Sequence, residues 1–138
     1  TRLIDLYSRY REAFDASENL LSPMQYGWWT LPNPLGGQWI SYRLKLDEYA
    51  RELANIINRL IDQEHRLRAW STIVAPMSDH EKFQVSHEFV ENIGTVALGL
   101  PYAIKSRFAF AAAHLSHEAN PAIRVAVGSH EFPTDDTL

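Results

Sequence analysis

Four stretches of the chain place apolar residues at helical spacing, and they predict an all-α fold. The first runs from about residue 2 to 21 and ends before Pro23, because the residue preceding proline disfavours helical geometry. The second carries an apolar stripe from Leu46 to Trp70 and spans roughly 30 residues. We expect a bundle of four main helices in which residues 1–138 form one domain.

The third and fourth helices are predicted on either side of residues 99–101. Ser78 and Glu81 have the spacing of a capping box, which starts the third helix. The proline at the break suits the first turn of the fourth helix. We expect residues 120–121, Asn followed by Pro, to end that helix, and the polar residues 129–138 to form an irregular, frayed C-terminal segment.

An irregular Trp-, Pro- and Gly-rich segment, residues 22–39, separates the first two helices. Glycine and proline exclude a regular element there, whereas the aromatic residues are not typical of a flexible linker. These aromatic residues are Tyr26, Trp28, Trp29 and Trp39. They predict either a cover for the open end of the bundle, which is the favoured alternative, or a surface for a ligand or a protein partner.

Composition and charge narrow the classes of function. The chain is 46% hydrophobic and carries a formal net charge of -4, a balance that disfavours a dedicated nucleic-acid binder. The absence of cysteine excludes disulfides, cysteine-ligated zinc and thiol nucleophiles. Charged residues interrupt the apolar stretches, so no membrane span is predicted. We expect a cytoplasmic protein without a cofactor.

Histidine and glutamate recur four positions apart, as His87 with Glu91 and His114 with Glu118. If the third and fourth helices fold back on each other, Glu91 falls beside Arg107 and His87 near His114. Such a cluster is either a set of hydrogen-bonded groups that specify packing or a site with chemistry. A metal site is the less favoured reading, because the Glu-x-x-His spacing of bundle metal centres is missing. No metal is therefore predicted.

Arg107 and His114, with six residues between them, resemble in spacing the Arg-x(4–6)-His pattern of HEPN-domain proteins. That family comprises small all-α domains, often dimeric, many of them metal-independent ribonucleases or partners in toxin–antitoxin and abortive-infection systems. The resemblance implies that Arg107 stabilises phosphate charge and that His114 acts as general acid or base. It covers only the fourth helix, and Phe108 stands where these proteins commonly carry a polar residue.

Taken together, these patterns predict a non-catalytic binding or protein-interaction module that acts as a homodimer or with another protein partner. The long second helix favours a dimer, because it exceeds the length of a small bundle. The alternative is a HEPN-like ribonuclease or toxin–antitoxin component, with nucleic acid as its partner. An enzyme would place Arg107 and His114 in an open cleft, whereas an interaction protein would engage them in internal contacts and expose apolar side chains elsewhere.

Overall fold

A computed structural model describes residues 2–31 and 36–126, and most of these residues are helical. The elements are helix α1, Arg2–Asp15; a 3-10 turn, Gly37–Trp39; helix α2, Ile40–Val74; and helix α3, residues 79–126, which consists of Asp79–Val85, a π-helical turn at Ser86–Val90, and Glu91–Ala126. No strand occurs among these residues. The all-α prediction is confirmed, whereas the prediction of four main helices is wrong, because the described ranges contain three.

The chain divides into two compact units. Unit 1 combines residues 1–23 with residues 58–101, and unit 2 combines residues 24–57 with residues 102–138. Helices α2 and α3 each contribute residues to both units. The predicted C-terminal tail, residues 129–138, lies outside the described residues.

Helix α1 ends at Asp15, well before the predicted end near residue 21. Asn19 adopts a left-handed backbone conformation with φ 55°, which asparagine tolerates better than most residues. Arg68 of α2 donates hydrogen bonds to the carbonyl oxygens of Glu18 and Asn19, both at 3.3 Å. The segment after α1 is thus held to α2 by its backbone, and a longer helix would lose these contacts.

Helix α3 continues through Pro101 and Pro121, where the sequence predicts a break and an end. Proline removes a backbone donor and crowds the carbonyl four residues earlier, so it usually interrupts a helix. Both prolines are exposed, whereas the neighbouring Leu100 is buried. The disturbed hydrogen bonds therefore lie on a side of the helix that the core does not use. The predicted hairpin between a third and a fourth helix is wrong.

The core of unit 1 is built around a stack of three aromatic rings. Trp70 of α2 is 2% exposed and lies between Tyr10 of α1 and Phe89 of α3. The ring centroids are 4.6 Å apart on the Tyr10 side and 4.8 Å apart on the Phe89 side, and the planes are nearly parallel. Burial raises the pKa of Tyr10, because it disfavours the charged phenolate. Four aliphatic residues complete the buried cluster: Leu6, Ala69, Ile73 and Val85.

Helix α3 begins with the capping box that the sequence predicts. The Ser78 hydroxyl oxygen accepts a hydrogen bond from the backbone N–H of Glu81 at 3.4 Å. In return, Glu81 Oε2 accepts from the backbone N–H of Ser78 at 3.1 Å and from its hydroxyl at 2.9 Å. These bonds, the backbone one foremost, lower the pKa of Glu81 because they favour its carboxylate form. The capping box is confirmed.

We expect Ser78→Ala to lower the free energy of unfolding by about 1 kcal/mol at neutral pH, the usual effect of losing an N-cap side chain. Glu81 binds its proton less tightly in the folded state, so its contribution is present above the ordinary carboxyl pKa and fades as the pH falls through the lowered one. The difference in free energy of unfolding between the unmodified protein and Ser78→Ala should therefore shrink in acid. Urea denaturation measures it, with Ser71→Ala, an exposed serine within α2, as the control. An equal loss in both variants contradicts the capping interpretation.

Candidate functional site

In unit 2, the segment before α2 presents two aromatic rings that are exposed and yet anchored. Tyr26 is 54% exposed and Trp28 is 44% exposed. The Tyr26 hydroxyl donates a hydrogen bond to Asn55 Oδ1 at 2.6 Å, and Trp28 Nε1 donates to the carbonyl oxygen of Ala50 at 3.1 Å. Helix α2 therefore holds the polar end of each side chain while much of the ring remains accessible. We refer to the rings of Tyr26 and Trp28 as the aromatic surface.

The two other tryptophans of this segment lie deeper. Trp29 is half-buried, and its indole nitrogen is buried without a hydrogen-bond partner among the described residues. Trp39 is also half-buried and packs edge-on against Tyr42, with ring centroids 5.3 Å apart. The four aromatic residues predicted as one surface are thus divided between two exposed and two half-buried side chains. Residues 32–35 of the same segment lie outside the described residues.

The face of α2 that includes Asn55 forms a shallow groove of about 360 Å³. Its charged side chains are paired within the unit. Asp47 accepts from Arg51 at 3.3 Å and Glu48 from Lys45 at 3.1 Å. The α2 face next to the anchor of Tyr26 is therefore close to neutral, although it is rich in charged residues.

Arg107 and His114 lie on the same side of α3 and both contact Phe110. The guanidinium carbon of Arg107 is 5.0 Å from the centroid of the Phe110 ring, and the His114 ring centroid is 4.2 Å from it. Arg107 also donates a hydrogen bond to Glu52 of α2. Tyr49 of α2 is 7% exposed; it meets Phe110 edge-on at 5.9 Å and lies 6.2 Å from His114. The predicted pair is brought together around an aromatic ring.

This arrangement restricts what Arg107 and His114 can do chemically. The guanidinium contacts both a carboxylate and a ring face, so a phosphate group would have to compete with Glu52 for it. Both side chains are half-buried, and His114 is packed against aromatic neighbours. Internal contacts of this kind are those expected of groups that stabilise packing between α2 and α3 in unit 2.

The remaining polar candidates are distributed between the units. His87 Nδ1 lies 3.0 Å from Glu91 Oε2 on the surface of unit 1. Glu118 belongs to unit 2, where it accepts a hydrogen bond from Ser41 at 2.7 Å. The predicted ion pair between Glu91 and Arg107 is wrong, because Arg107 pairs with Glu52 of α2 instead. Across the described ranges, no group of three or more His, Asp or Glu side chains is placed to hold a metal ion.

The sequence does not identify Glu52 as the partner of Arg107, although one signal points to it. Other acidic residues of α2, such as Asp62 and Glu64, have an arginine four positions later and pair with it. Glu52 has no basic residue three or four positions away within the helix. An acid without a local partner beside a buried stripe favours a partner from another element. Periodicity predicts the burial of Tyr49, but not its contact with His114.

None of the helices in the described residues contains an apolar stretch that is long enough to cross a membrane. Comparison of the chain with protein-family models, with curated proteins and with solved structures gives no match. Function is therefore inferred from the geometry of the site.

Proposed function

We propose that the protein is a non-catalytic interaction module that binds a second copy of itself through the aromatic surface. The observation that carries this proposal is the combination of exposed rings and anchored polar ends at Tyr26 and Trp28. An anchored ring loses little conformational freedom on binding, so more of its burial contributes to affinity. Tyrosine and tryptophan are also the residues most enriched among those that dominate interface energetics.

A second copy is a suitable occupant because the adjoining face of α2 is balanced in charge. A two-fold interface places the same surface against itself, so unpaired like charges would oppose association. Here Asp47 is paired with Arg51, and Glu48 with Lys45. The guanidinium of Arg107 contacts a carboxylate and an aromatic ring, and these contacts support a structural role for Arg107 in place of a catalytic one.

Sedimentation velocity over a range of protein concentrations tests this proposal. We expect a concentration-dependent dimer, which Trp28→Ala and Tyr26→Ala each weaken by at least about tenfold, equivalent to about 1.4 kcal/mol. Phe83→Ala is the matched control, because this variant removes a ring that is 73% exposed but lies in unit 1. Its dimerisation constant should equal that of the unmodified protein. Circular dichroism verifies that each variant retains its helical content.

Two outcomes contradict self-association through this surface: a monomer at every concentration, and an equal effect of all three substitutions. The HEPN-like ribonuclease or toxin–antitoxin alternative rests on the shared position of Arg107 and His114 beside Phe110. That alternative requires cleavage of RNA in the absence of metal ions. His114→Ala would have to abolish the cleavage while the protein remains folded.

A further inference from the structure

Unit 1 contains a groove of about 490 Å³ between the segment that follows α1 and the middle of α2. This volume lies within the range of small-molecule sites, roughly 300 to 1,000 Å³. Four apolar side chains line much of its wall: Leu20, Leu21, Pro23 and Ile61. The residues of this groove belong to unit 1, whereas those of the aromatic surface belong to unit 2.

The polar residues of the wall are Ser22, Asn58, Asp62, Glu64 and His65, and the two carboxylates among them are acceptors only. His65 Nε2 lies 2.9 Å from the carbonyl oxygen of Phe14 and donates a hydrogen bond to it. Asp62 receives a hydrogen bond from Arg66 at 2.8 Å through one oxygen, Oδ2. A carboxylate has capacity for several donors, so Asp62 can accept more.

Glu64, which also lines the groove, has one carboxylate oxygen that lacks a donor. Its Oε1 accepts two hydrogen bonds from Arg68, at 3.0 and 2.6 Å. Its Oε2 is buried and has no hydrogen-bond partner in the part of the chain that the structure describes. A buried acceptor without a donor is unfavourable. The side chain as a whole is 37% exposed, and its terminal torsion is soft, so the carboxylate can rotate toward a donor bound in the groove that it lines.

We propose that this groove binds a small primary ammonium compound with an apolar body. The ammonium group donates to Glu64 and Asp62, and the body packs against Leu20, Leu21 and Ile61. A primary ammonium offers three donors and a positive charge, so it can share the carboxylates of Asp62 and Glu64 with the arginines that already pair with them. Unit 1 as a whole favours a cation, since its sequence holds ten carboxylate side chains against seven lysines and arginines.

A nuclear magnetic resonance titration of the whole chain with 2-phenylethylammonium tests this site. We expect saturable shifts of backbone amides in residues 20–22 and 61–65. The neutral analogue 2-phenylethanol has the same body with one donor and no charge, and its affinity should be at least about fivefold lower. The anionic analogue 3-phenylpropanoate should not produce saturable shifts, because it brings no donor for the carboxylates of the wall.

Glu64→Gln provides the decisive variant, because it retains the shape of the side chain and an oxygen for Arg68 but removes the charge. We expect the ammonium affinity to fall at least about fivefold and the alcohol affinity to remain unchanged. Glu88→Gln makes the same change at an exposed residue of the π-helical turn in the same unit. This variant is the control and should bind the ammonium compound as the unmodified protein does. If Glu64→Gln does not fold, Asp62→Asn tests the same charge dependence.

Equal affinity for the ammonium compound and the alcohol would overturn the proposal, and so would shifts that lie only outside the groove. Unchanged ammonium binding in Glu64→Gln would overturn it as well. Trp28→Ala, which tests self-association, should leave the titration unaltered. The failure of one proposal is therefore distinguishable from the failure of the other.

Discussion

Replacement of Trp70 by alanine is expected to lower the free energy of unfolding of unit 1 by about 3–5 kcal/mol, the range for a buried tryptophan cut back to alanine. Trp70 is 2% exposed and contacts Tyr10 on one face and Phe89 on the other. Its loss removes a large apolar side chain and leaves a cavity between elements from three parts of the sequence. Neither neighbouring ring can fill that space without leaving its own contacts.

Hydrogen exchange measured by mass spectrometry is the appropriate readout, because it reports on the segments of each unit separately. Peptides from α1 and from residues 79–101 should lose protection in Trp70→Ala. Their protection in Trp70→Phe should lie between that of the unmodified protein and that of Trp70→Ala. The pKa of Tyr10, which burial raises, should fall toward its ordinary value of 10.0 in the alanine variant. A loss of less than about 1 kcal/mol would contradict the central role of the stack.

Tyr49→Ala is expected to destabilise unit 2 by a similar amount, about 3–5 kcal/mol, whereas Tyr49→Phe should change stability by less than about 0.5 kcal/mol. The Tyr49 ring is 7% exposed and packs edge-on against Phe110 and beside His114. Both of these contacts are made by the aromatic ring. The ring therefore carries the interaction, and the hydroxyl contributes little.

Urea denaturation of the two variants, followed by the exchange of peptides from residues 40–57 and 102–126, measures this difference. A loss in Tyr49→Phe as large as that in Tyr49→Ala would mean that the hydroxyl is essential. Such a result would favour a chemical role for the cluster of Tyr49, Arg107 and His114. It would weaken the interpretation of that cluster as packing between α2 and α3.

The sequence by itself determined the features that depend on residues close together along the chain. Helical periodicity predicts the all-α class and α2 as one continuous helix, since apolar positions repeat with the period of the helix. Ser78 and Glu81 predict the start of α3, because both partners of a capping box lie within one turn. The pairs of Asp62 with Arg66 and of Glu64 with Arg68 follow from the same spacing rule.

Tertiary structure alone decided where helices continue, and which distant groups meet. Pro101 carries a local penalty of about 3 kcal/mol in a helix, and packing of neighbouring residues such as the buried Leu100 offsets it. The pairing of Arg107 with Glu52 joins residues far apart in sequence, so no spacing rule contains it. Tertiary contacts also distinguish two neighbouring tryptophans. Trp28 Nε1 donates to a carbonyl oxygen of α2, whereas the indole nitrogen of Trp29 is buried without a partner among the described residues. Local patterns specify a residue's own turn of helix, whereas burial and long-range pairing depend on how separate elements fill the same space.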